Sequence, residues 1–168
     1  MARIELRDIV TEEDRAAALA LELDPGQDRF VASVAESFED AITYAHAEPR
    51  FWTVNDGDDV VGFVMISDNI PSNRLAADPQ LVGPYFLWRL LIDRRHQGKG
   101  YGTATIDAVR EYLHDRPGAD VLFVSAGQGE GSPQPFYERY GFVPTGVVVE
   151  NEVILRLHLA AESAAIAS

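Results

Sequence analysis

Residues 85–113 read YFLWRLLIDRRHQGKGYGTATIDAVREYL and contain three segments of different character. The first, ending at Ile92, is a continuous apolar run of strand length. The second, RRHQGKGYG at residues 94–102, is basic and rich in glycine. In the third, Ile106, Val109 and Leu113 recur at helical spacing. The stretch therefore predicts a buried strand, a loop and an amphipathic helix in succession.

The loop has the features of an anion-binding turn. Gly98, Gly100 and Gly102 occupy alternate positions, and glycine lets backbone N–H groups converge in conformations that side chains would obstruct. The helix that follows contributes unpaired N–H groups and its dipole, which favour phosphate by roughly 0.3–1 kcal/mol per interaction. Three basic side chains of the loop add to this effect: Arg94, Arg95 and Lys99.

Three phosphate-binding patterns compete for this loop. A Walker loop fails because Lys99 is followed by Gly100 and not by Ser or Thr. A dinucleotide fingerprint is weak because the glycines are spaced by two and two. The third pattern, Gln-x-x-Gly-x-Gly, is filled by Gln97, Gly100 and Gly102, and it resembles the acetyl-coenzyme A (acetyl-CoA) loop of the GNAT N-acetyltransferase superfamily. On the loop alone, an ordinary glycine-rich turn stays open.

Composition limits the class of protein. A chain of 168 residues is typical of a single domain that buries roughly 70% of its unfolded surface. It has no cysteine, no signal-peptide pattern at its start and no apolar run of membrane-spanning length, so we expect a soluble cytoplasmic protein that binds no membrane. The formal net charge of -13 disfavours nucleic acid and attracts cations, with plain solubility as the alternative reason for the acidity.

The first half of the chain predicts alternating strands and helices. A strand at residues 3–7 precedes a helix capped by Thr11 and stopped by residues 24–26. Residues 30–46 predict a helical region in one or two pieces, with Val34, Phe38 and Ile42 on one stripe and Ser37 as an internal cap. A β-hairpin follows at residues 51–66. Residues 69–84 hold three prolines and are predicted to be a long surface loop without an element, serving as a lid.

Beyond the central helix, the pattern predicts a strand at residues 120–125, a short helix opened by Ser132 and Pro133 and ended by Gly141, and strands across residues 142–159. The alanine-rich end, residues 161–168, is expected to be a flexible tail.

A second motif supports the resemblance. Residues 135–142 read PFYERYGF and look like the terminal signature of the GNAT family, a helix carrying Phe-Tyr and closed by Gly-Phe. The resemblance implies an α/β (α+β) GNAT fold over residues 1–160 as one domain. In that fold a mixed sheet of six to seven strands is flanked by helices, and a splayed pair of strands holds acetyl-CoA. Residues 30–33, 86–89 and 146–155 look most like bacterial spermine/spermidine and diamine N-acetyltransferases.

The resemblance also implies residue roles. Acetyl-CoA would be the co-substrate, with Tyr137 as general acid; a packing role for Tyr137, with Tyr140 as the polar member, is the alternative. Without a cysteine or a Gly-x-Ser-x-Gly elbow, we infer direct attack by the amine in a ternary complex. The residues carried over to acetyl-CoA binding are Leu90, Leu91, Ile92, Gln97, Gly98, Lys99, Gly100, Tyr101, Gly102, Thr103 and Ser125.

The general base is the open question of the sequence. An amine of pKa near 10.4 needs about 4 kcal/mol to lose its proton at neutral pH. Some polyamine acetyltransferases carry a glutamate in the central strand, where this chain has Trp88. Glu152 and Glu150 are the candidate replacements, either as the base, directly or through water, or in recognition with water as the base. A plain surface position is the alternative for Glu152. Glu36, Trp88 and Glu150 are the candidate contacts for a cationic substrate, with a solvated helix face as the alternative for Glu36.

The resulting prediction is an acetyl-CoA-dependent N-acetyltransferase of a small cationic amine such as a polyamine. The alternatives are an aminoglycoside-like antibiotic, another amine metabolite or a peptide N-terminus as acceptor, and, from a different class, a module that binds acetyl-CoA without turnover. No metal is expected, because His46, His96, His114 and His158 lack metal-site spacing. A homodimer is left open.

Overall fold

The computed structural model describes residues 3–159, which form one seven-stranded mixed sheet with helices on both faces. The strands are β1 Glu5–Asp8, β2 Pro49–Asp56, β3 Asp59–Asp68, β4 Tyr85–Ile92, β5 Val121–Gly127, β6 Val143–Val149 and β7 Glu152–His158. They lie in the order β1-β2-β3-β4-β5-β7-β6, and their number confirms the prediction of six to seven strands in a mixed sheet. The helices are α1 Glu12–Leu19, α2 Val34–Thr43, α3 Ser72–Ala77, α4 Tyr101–Leu113 and α5 Gln134–Tyr140.

All neighbouring strands pair antiparallel except β4 and β5, which are parallel and are joined by α4. That parallel pairing is short. It comprises only Phe86 with Phe123 and Leu87 with Val124, so the two strands diverge beyond Leu87. The predicted strand at residues 85–92 and the helix behind the glycine loop are both confirmed.

The helices on the N-terminal side begin at side-chain caps. Thr11 caps α1, and Ser33 caps α2 in a capping box with Glu36. The predicted cap at Ser37 is wrong, because Ser37 lies inside α2, where its hydroxyl donates to the Ser33 carbonyl at 2.8 Å. Ile42 was also placed wrongly, since it is 80% exposed, whereas Val34 and Phe38 are buried as predicted.

Residues 69–84 contain a short helix, α3, which the sequence analysis missed. Pro71 precedes its first residue, and the helix ends at Ala77 before Asp78 takes an extended conformation. Arg74 holds α3 against the chain before β2, because its guanidinium bonds to the Glu48 carboxylate and to the His46 carbonyl. The segment is therefore an anchored wall and not a loop without structure.

Two apolar clusters lie on opposite faces of the sheet. On one face, Ile106, Val109 and Leu113 of α4 are fully buried. On the other, Val34 and Phe38 of α2 pack with their neighbours. The strand β3 contributes to both clusters, so it is buried on both faces. The predicted tail, residues 161–168, lies outside the described residues. Within residues 3–159, no helix is long and apolar enough to cross a bilayer.

Candidate active site

The divergence of β4 from β5 begins at a β-bulge. Met65 of β3 lies opposite Arg89, but the next residue, Ile66, lies opposite Leu87. Trp88 is therefore the extra residue of β4, and such a bulge bends the strand that contains it. Because β4 turns away from β5 from this point on, a gap opens between the two strands near Leu90.

The hydrogen-bond pattern of β4 shows which backbone groups face the gap. The Asp93 N–H donates to the Val61 carbonyl at 2.8 Å. In an antiparallel ladder such bonds fall on alternate residues, so Leu91 is bonded to β3 while Leu90 and Ile92 point their backbone groups away from β3. In agreement, the Ile92 carbonyl accepts from the Gln97 amide at 3.0 Å. The Leu90 N–H consequently points toward the gap.

The glycine loop presents a row of unpaired donors. Within the described residues, the backbone N–H groups of residues 98–103 make no hydrogen bond, and the first bond of α4 runs from the Ala104 N–H to the Gly100 carbonyl at 3.1 Å. Gly98 and Gly100 have φ of 74° and 83°, a region that side chains disfavour. A Cβ at Gly102 would lie 3.0 Å from the Phe136 ring. The loop therefore offers a row of backbone donors suited to an anion, and the assignment of residues 97–103 to acetyl-CoA stays a prediction.

Asp93 holds the loop in place, and the sequence analysis missed it. Its fully buried carboxylate accepts from the Glu22 N–H at 2.9 Å and from the Arg95 N–H at 2.9 Å, and it pairs with the Arg95 guanidinium at 2.8 Å. The hydrogen bonds from Arg95 hold the pKa of Asp93 far below its usual range. The signal in the sequence was a single acidic residue ending an apolar strand.

The loop's own side chains are used differently from what we expected. The Gln97 amide bonds to Gln27 at 2.9 Å in addition to the Ile92 carbonyl, so it shapes the loop from within. Arg94 pairs with Glu22 at 3.1 Å, and Arg95 forms an ion pair with Asp93. Among the described residues, Lys99 makes no ion pair, so it is the loop cation available to a bound anion.

Other loop residues contribute mainly backbone. The Tyr101 phenol turns away from the phosphate side and donates to the Asp56 carboxylate. Thr103 is exposed in the first turn of α4.

A cavity of about 470 Å³, called the main cavity below, lies beside the gap between β4 and β5. Its wall includes Trp88 and Leu90 of β4, Ser125 of β5, Tyr137 of α5 and Glu152 of β7. Residues of the 69–84 segment, among them Gln80, Leu81 and Val82, form another part of the wall. The structure thus brings together side chains that are far apart in the sequence.

Tyr137 is 7% exposed, and its hydroxyl makes no hydrogen bond within the described residues. Burial, and secondarily the negative charge of Glu152, raises the pKa of Tyr137 well above that of an ordinary phenol. Tyr140, the alternative polar member of the motif, instead bonds through its hydroxyl to Asp107 and Arg110 of α4. Of the two phenols, Tyr137 is the one in the cavity wall.

A second chamber of about 470 Å³, called the acidic chamber below, adjoins the main cavity. Its wall has four carboxylates against two guanidinium groups, those of Arg29 and Arg89. The carboxylates are Asp28, Glu36, Glu150 and Glu152, and the last two belong to both spaces. Glu152 accepts a hydrogen bond from the Ser125 hydroxyl at 3.3 Å, so it is not a plain surface residue. Glu150 accepts from the Gln80 amide at 3.2 Å, which connects the 69–84 segment to the turn between β6 and β7.

Glu36 has a structural duty that the sequence analysis did not foresee. Its carboxylate accepts from the Ser33 N–H at 3.2 Å in the α2 capping box, and this bond lowers the pKa of Glu36. Arg89 and Asp40 are a second pair that the sequence analysis missed: they form an ion pair of 2.6 Å in the cavity wall. Residues 3–159 contain no group of three or more His, Asp or Glu side chains placed to hold a metal ion.

The family model described as Acetyltransferase (GNAT) family matches residues 8–142. Since this match spans most of the chain, the chain belongs to the GNAT family and is an acetyltransferase. Members of this family use acetyl-CoA. Among curated proteins the chain is similar to spermine/spermidine N(1)-acetyltransferase of Bacillus subtilis (strain 168), with 28% identity over 138 residues, 79% of this chain and 84% of the relative.

Two solved structures are similar in fold. An aminoglycoside acetyltransferase in complex with coenzyme A superposes with a TM-score of 0.72 at 17% identity, covering 96% of this chain and 98% of that chain. A putative GNAT acetyltransferase from Desulfovibrio desulfuricans gives a TM-score of 0.63 at 20% identity, covering 94% and 99%. At such identities the likeness shows the fold alone.

Proposed function

We propose that the protein transfers the acetyl group of acetyl-CoA to a primary amine of a small cationic acceptor such as a polyamine, by direct attack in a ternary complex. The observation that carries the proposal is the placement of the acidic chamber beside the main cavity, with Glu150 and Glu152 in the walls of both. A negatively lined cavity concentrates cations, and these carboxylates lie in the same wall as Tyr137.

The glycine loop and the gap are the proposed site of acetyl-CoA. The unpaired N–H groups of residues 98–103 would hold its pyrophosphate, assisted by Lys99. The backbone of residues 90–92 and Ser125 would flank its pantetheine arm in the gap. Acetyl-CoA supplies an acetyl thioester whose carbonyl needs a hydrogen-bond donor, and the Leu90 N–H is aimed to provide one.

Tyr137 is the proposed general acid. Its raised pKa keeps the phenol protonated at neutral pH, so its hydroxyl is available to donate to the departing sulfur. Because a thiol of pKa near 8.5 is more acidic than this phenol, Tyr137 acts first as a hydrogen-bond donor to the sulfur. The acceptor ammonium loses one proton to the base and then to solvent before the attack. After the attack the nitrogen loses a second proton, which replaces the one that Tyr137 passes to the sulfur, so each turnover releases one proton to solvent.

Glu152 is the proposed recipient of the amine proton, directly or through water, with Glu150 and Glu36 in recognition. A carboxylate beside an ammonium also stabilises its charged form, so the same side chain aids binding and opposes deprotonation. Trp88 has no titratable group and would contact the acceptor as an aromatic surface that attracts cations. The base that some polyamine acetyltransferases carry in the central strand is thus replaced here by Glu152 of β7.

A thiol-release assay with a panel of acceptors tests this proposal. We expect release of coenzyme A with polyamines at a kcat/KM at least about tenfold above that with amines that carry no further positive charge. This corresponds to a difference of about 1.4 kcal/mol in activation free energy. Preferred turnover of aminoglycosides, or of peptides with a free N-terminus, would reassign the acceptor. Binding of acetyl-CoA without thiol release for any amine would identify a binding module and overturn the proposal.

A further inference from the structure

Arg89 lies where β4 leaves β5, one residue after the bulge at Trp88. It belongs to the walls of both the main cavity and the acidic chamber. A cation in a wall proposed to receive another cation needs an explanation, since like charges repel.

The Arg89 guanidinium ties the bulge to a helix on the face of the sheet. Its Nη1 donates to the Trp88 carbonyl at 3.0 Å, and its Nη2 donates to the Asp40 carboxylate at 2.6 Å. Asp40 lies in α2, so the planar fork of one side chain connects the backbone of the bulged residue to that helix. A lysine has no fork with which to reproduce this geometry.

This arrangement is unfavourable on solvation grounds alone. The side chain of Arg89 is 18% exposed, and its Nε is buried without a hydrogen-bond partner in the described part of the chain. Burial also lowers the pKa of Arg89, an effect that the charge of Asp40 opposes. Because burying a cation with an unsatisfied donor is costly, the pair is weak as a stabilising device and is better explained by positioning.

We propose that Arg89 is a positioning residue that, anchored on Asp40, fixes the bulge at Trp88 and thereby aims the Leu90 N–H into the gap between β4 and β5. The inference rests on the proposed acetyl transfer, in which this N–H polarises the acetyl carbonyl. Asp40 has a second effect. It balances the charge of Arg89, so the wall that meets a cationic acceptor gains no net positive charge.

The positioning effect of Arg89 is measured by kcat, and the charge effect of the pair is measured by the KM for the amine. Arg89→Met frees the bulge and leaves Asp40 unpaired, so kcat falls about tenfold to hundredfold while the KM for the amine falls about two- to fivefold. Asp40→Asn keeps an accepting oxygen but leaves the guanidinium charge unbalanced. Its KM rises about two- to fivefold and its kcat stays within about twofold of the wild type.

The double variant Arg89→Met/Asp40→Asn restores the charge balance but lacks the connection that Arg89 makes between Asp40 and the bulge. Its KM therefore returns to the wild-type value while its kcat stays low. Arg89→Lys keeps the charge and one of the two bonds, and it gives an intermediate kcat. Arg116→Met is the matched control, because Arg116 pairs with Asp68 at 3.0 Å outside both cavities. This control keeps both kinetic constants.

The experiment is steady-state kinetics with spermidine and acetyl-CoA, together with hydrogen exchange of the protein without ligands. In Arg89→Met, amide exchange at residues 86–92 of β4 should be faster than in the wild type, while exchange at residues 49–56 of β2 should stay unchanged. In Arg116→Met neither segment should change. Wild-type kcat in Arg89→Met, parallel shifts of KM in the Arg89→Met and Asp40→Asn variants, or unchanged exchange in β4 would each overturn the inference. If the wild type acetylates no amine, the proposed function fails, while the exchange comparison still shows whether Arg89 fixes the bulge of β4.

Discussion

Replacing Tyr137 by phenylalanine removes one oxygen from the wall of the main cavity. Within the described residues the Tyr137 hydroxyl makes no hydrogen bond, so its removal leaves no buried donor or acceptor unpaired. The ring keeps its contacts with Phe136 and Phe142, whose ring centroids lie 5.4 and 5.5 Å away. We therefore expect the free energy of unfolding to change by less than about 0.5 kcal/mol.

Turnover should respond very differently. A positioned general acid typically contributes about 10²–10⁴-fold to rate, so we expect Tyr137→Phe to lower kcat at least about tenfold. The affinity for acetyl-CoA should stay near the wild-type value, since the proposed contacts of the cofactor lie mainly in the loop and the gap.

Thiol release at saturating acceptor gives kcat, and calorimetric titration with acetyl-CoA gives the affinity. Tyr140→Phe is the matched control: its hydroxyl bonds to Asp107 and Arg110, so this variant should lose about 1–3 kcal/mol of stability and keep its turnover. Wild-type kcat in Tyr137→Phe would refute the assignment of Tyr137 as the acid.

Three further substitutions test the loop and the carboxylates. Asp93→Asn should lower the free energy of unfolding by about 1–3 kcal/mol at neutral pH, because a buried acceptor of several hydrogen bonds is weakened. Since the folded-state pKa of Asp93 is lowered, its contribution to the free energy of unfolding is present above about pH 4 and lost as the pH falls further. Thermal unfolding at several pH values should therefore show a smaller fall in stability toward acid pH in the variant than in the wild type. Equal falls would contradict this. Gly100→Ala places a Cβ at φ 83°, costs about 1–2 kcal/mol and should weaken coenzyme A binding in calorimetry, whereas unchanged affinity would remove the loop from the cofactor site. Glu152→Gln should raise the amine KM or shift the pH profile of kcat/KM, and if both stayed unchanged Glu152 would have no role in recognition or proton transfer.

The order of strands and helices could be predicted from the sequence because its signals are local. The apolar run of β4 and the helical spacing behind the glycine loop specify their elements without reference to the rest of the chain. The misplaced features depend on distant contacts. Ile42 fits the helical stripe but is 80% exposed, next to the last residue of α2, Thr43.

The candidate site was predictable where a motif carries it and not where the fold assembles it. Gln97, Gly100 and Tyr137 belong to the two motifs that the sequence analysis names. Asp40 and Arg89 are 49 positions apart, and nothing in the sequence says that α2 lies over the bulge of β4. The same holds for Asp93, whose partner at Glu22 is 71 positions away.

Analysis of the reaction products tests the proposed acetyl transfer itself. The protein is incubated with acetyl-CoA and spermidine, and mass spectrometry of the polyamine is combined with a count of the thiol released. We predict an acceptor carrying one added acetyl group on a primary nitrogen, with one thiol released for each acetylated amine. Release of thiol without acetylated polyamine, or no reaction while acetyl-CoA remains bound, would rule out acetyl transfer to the polyamine.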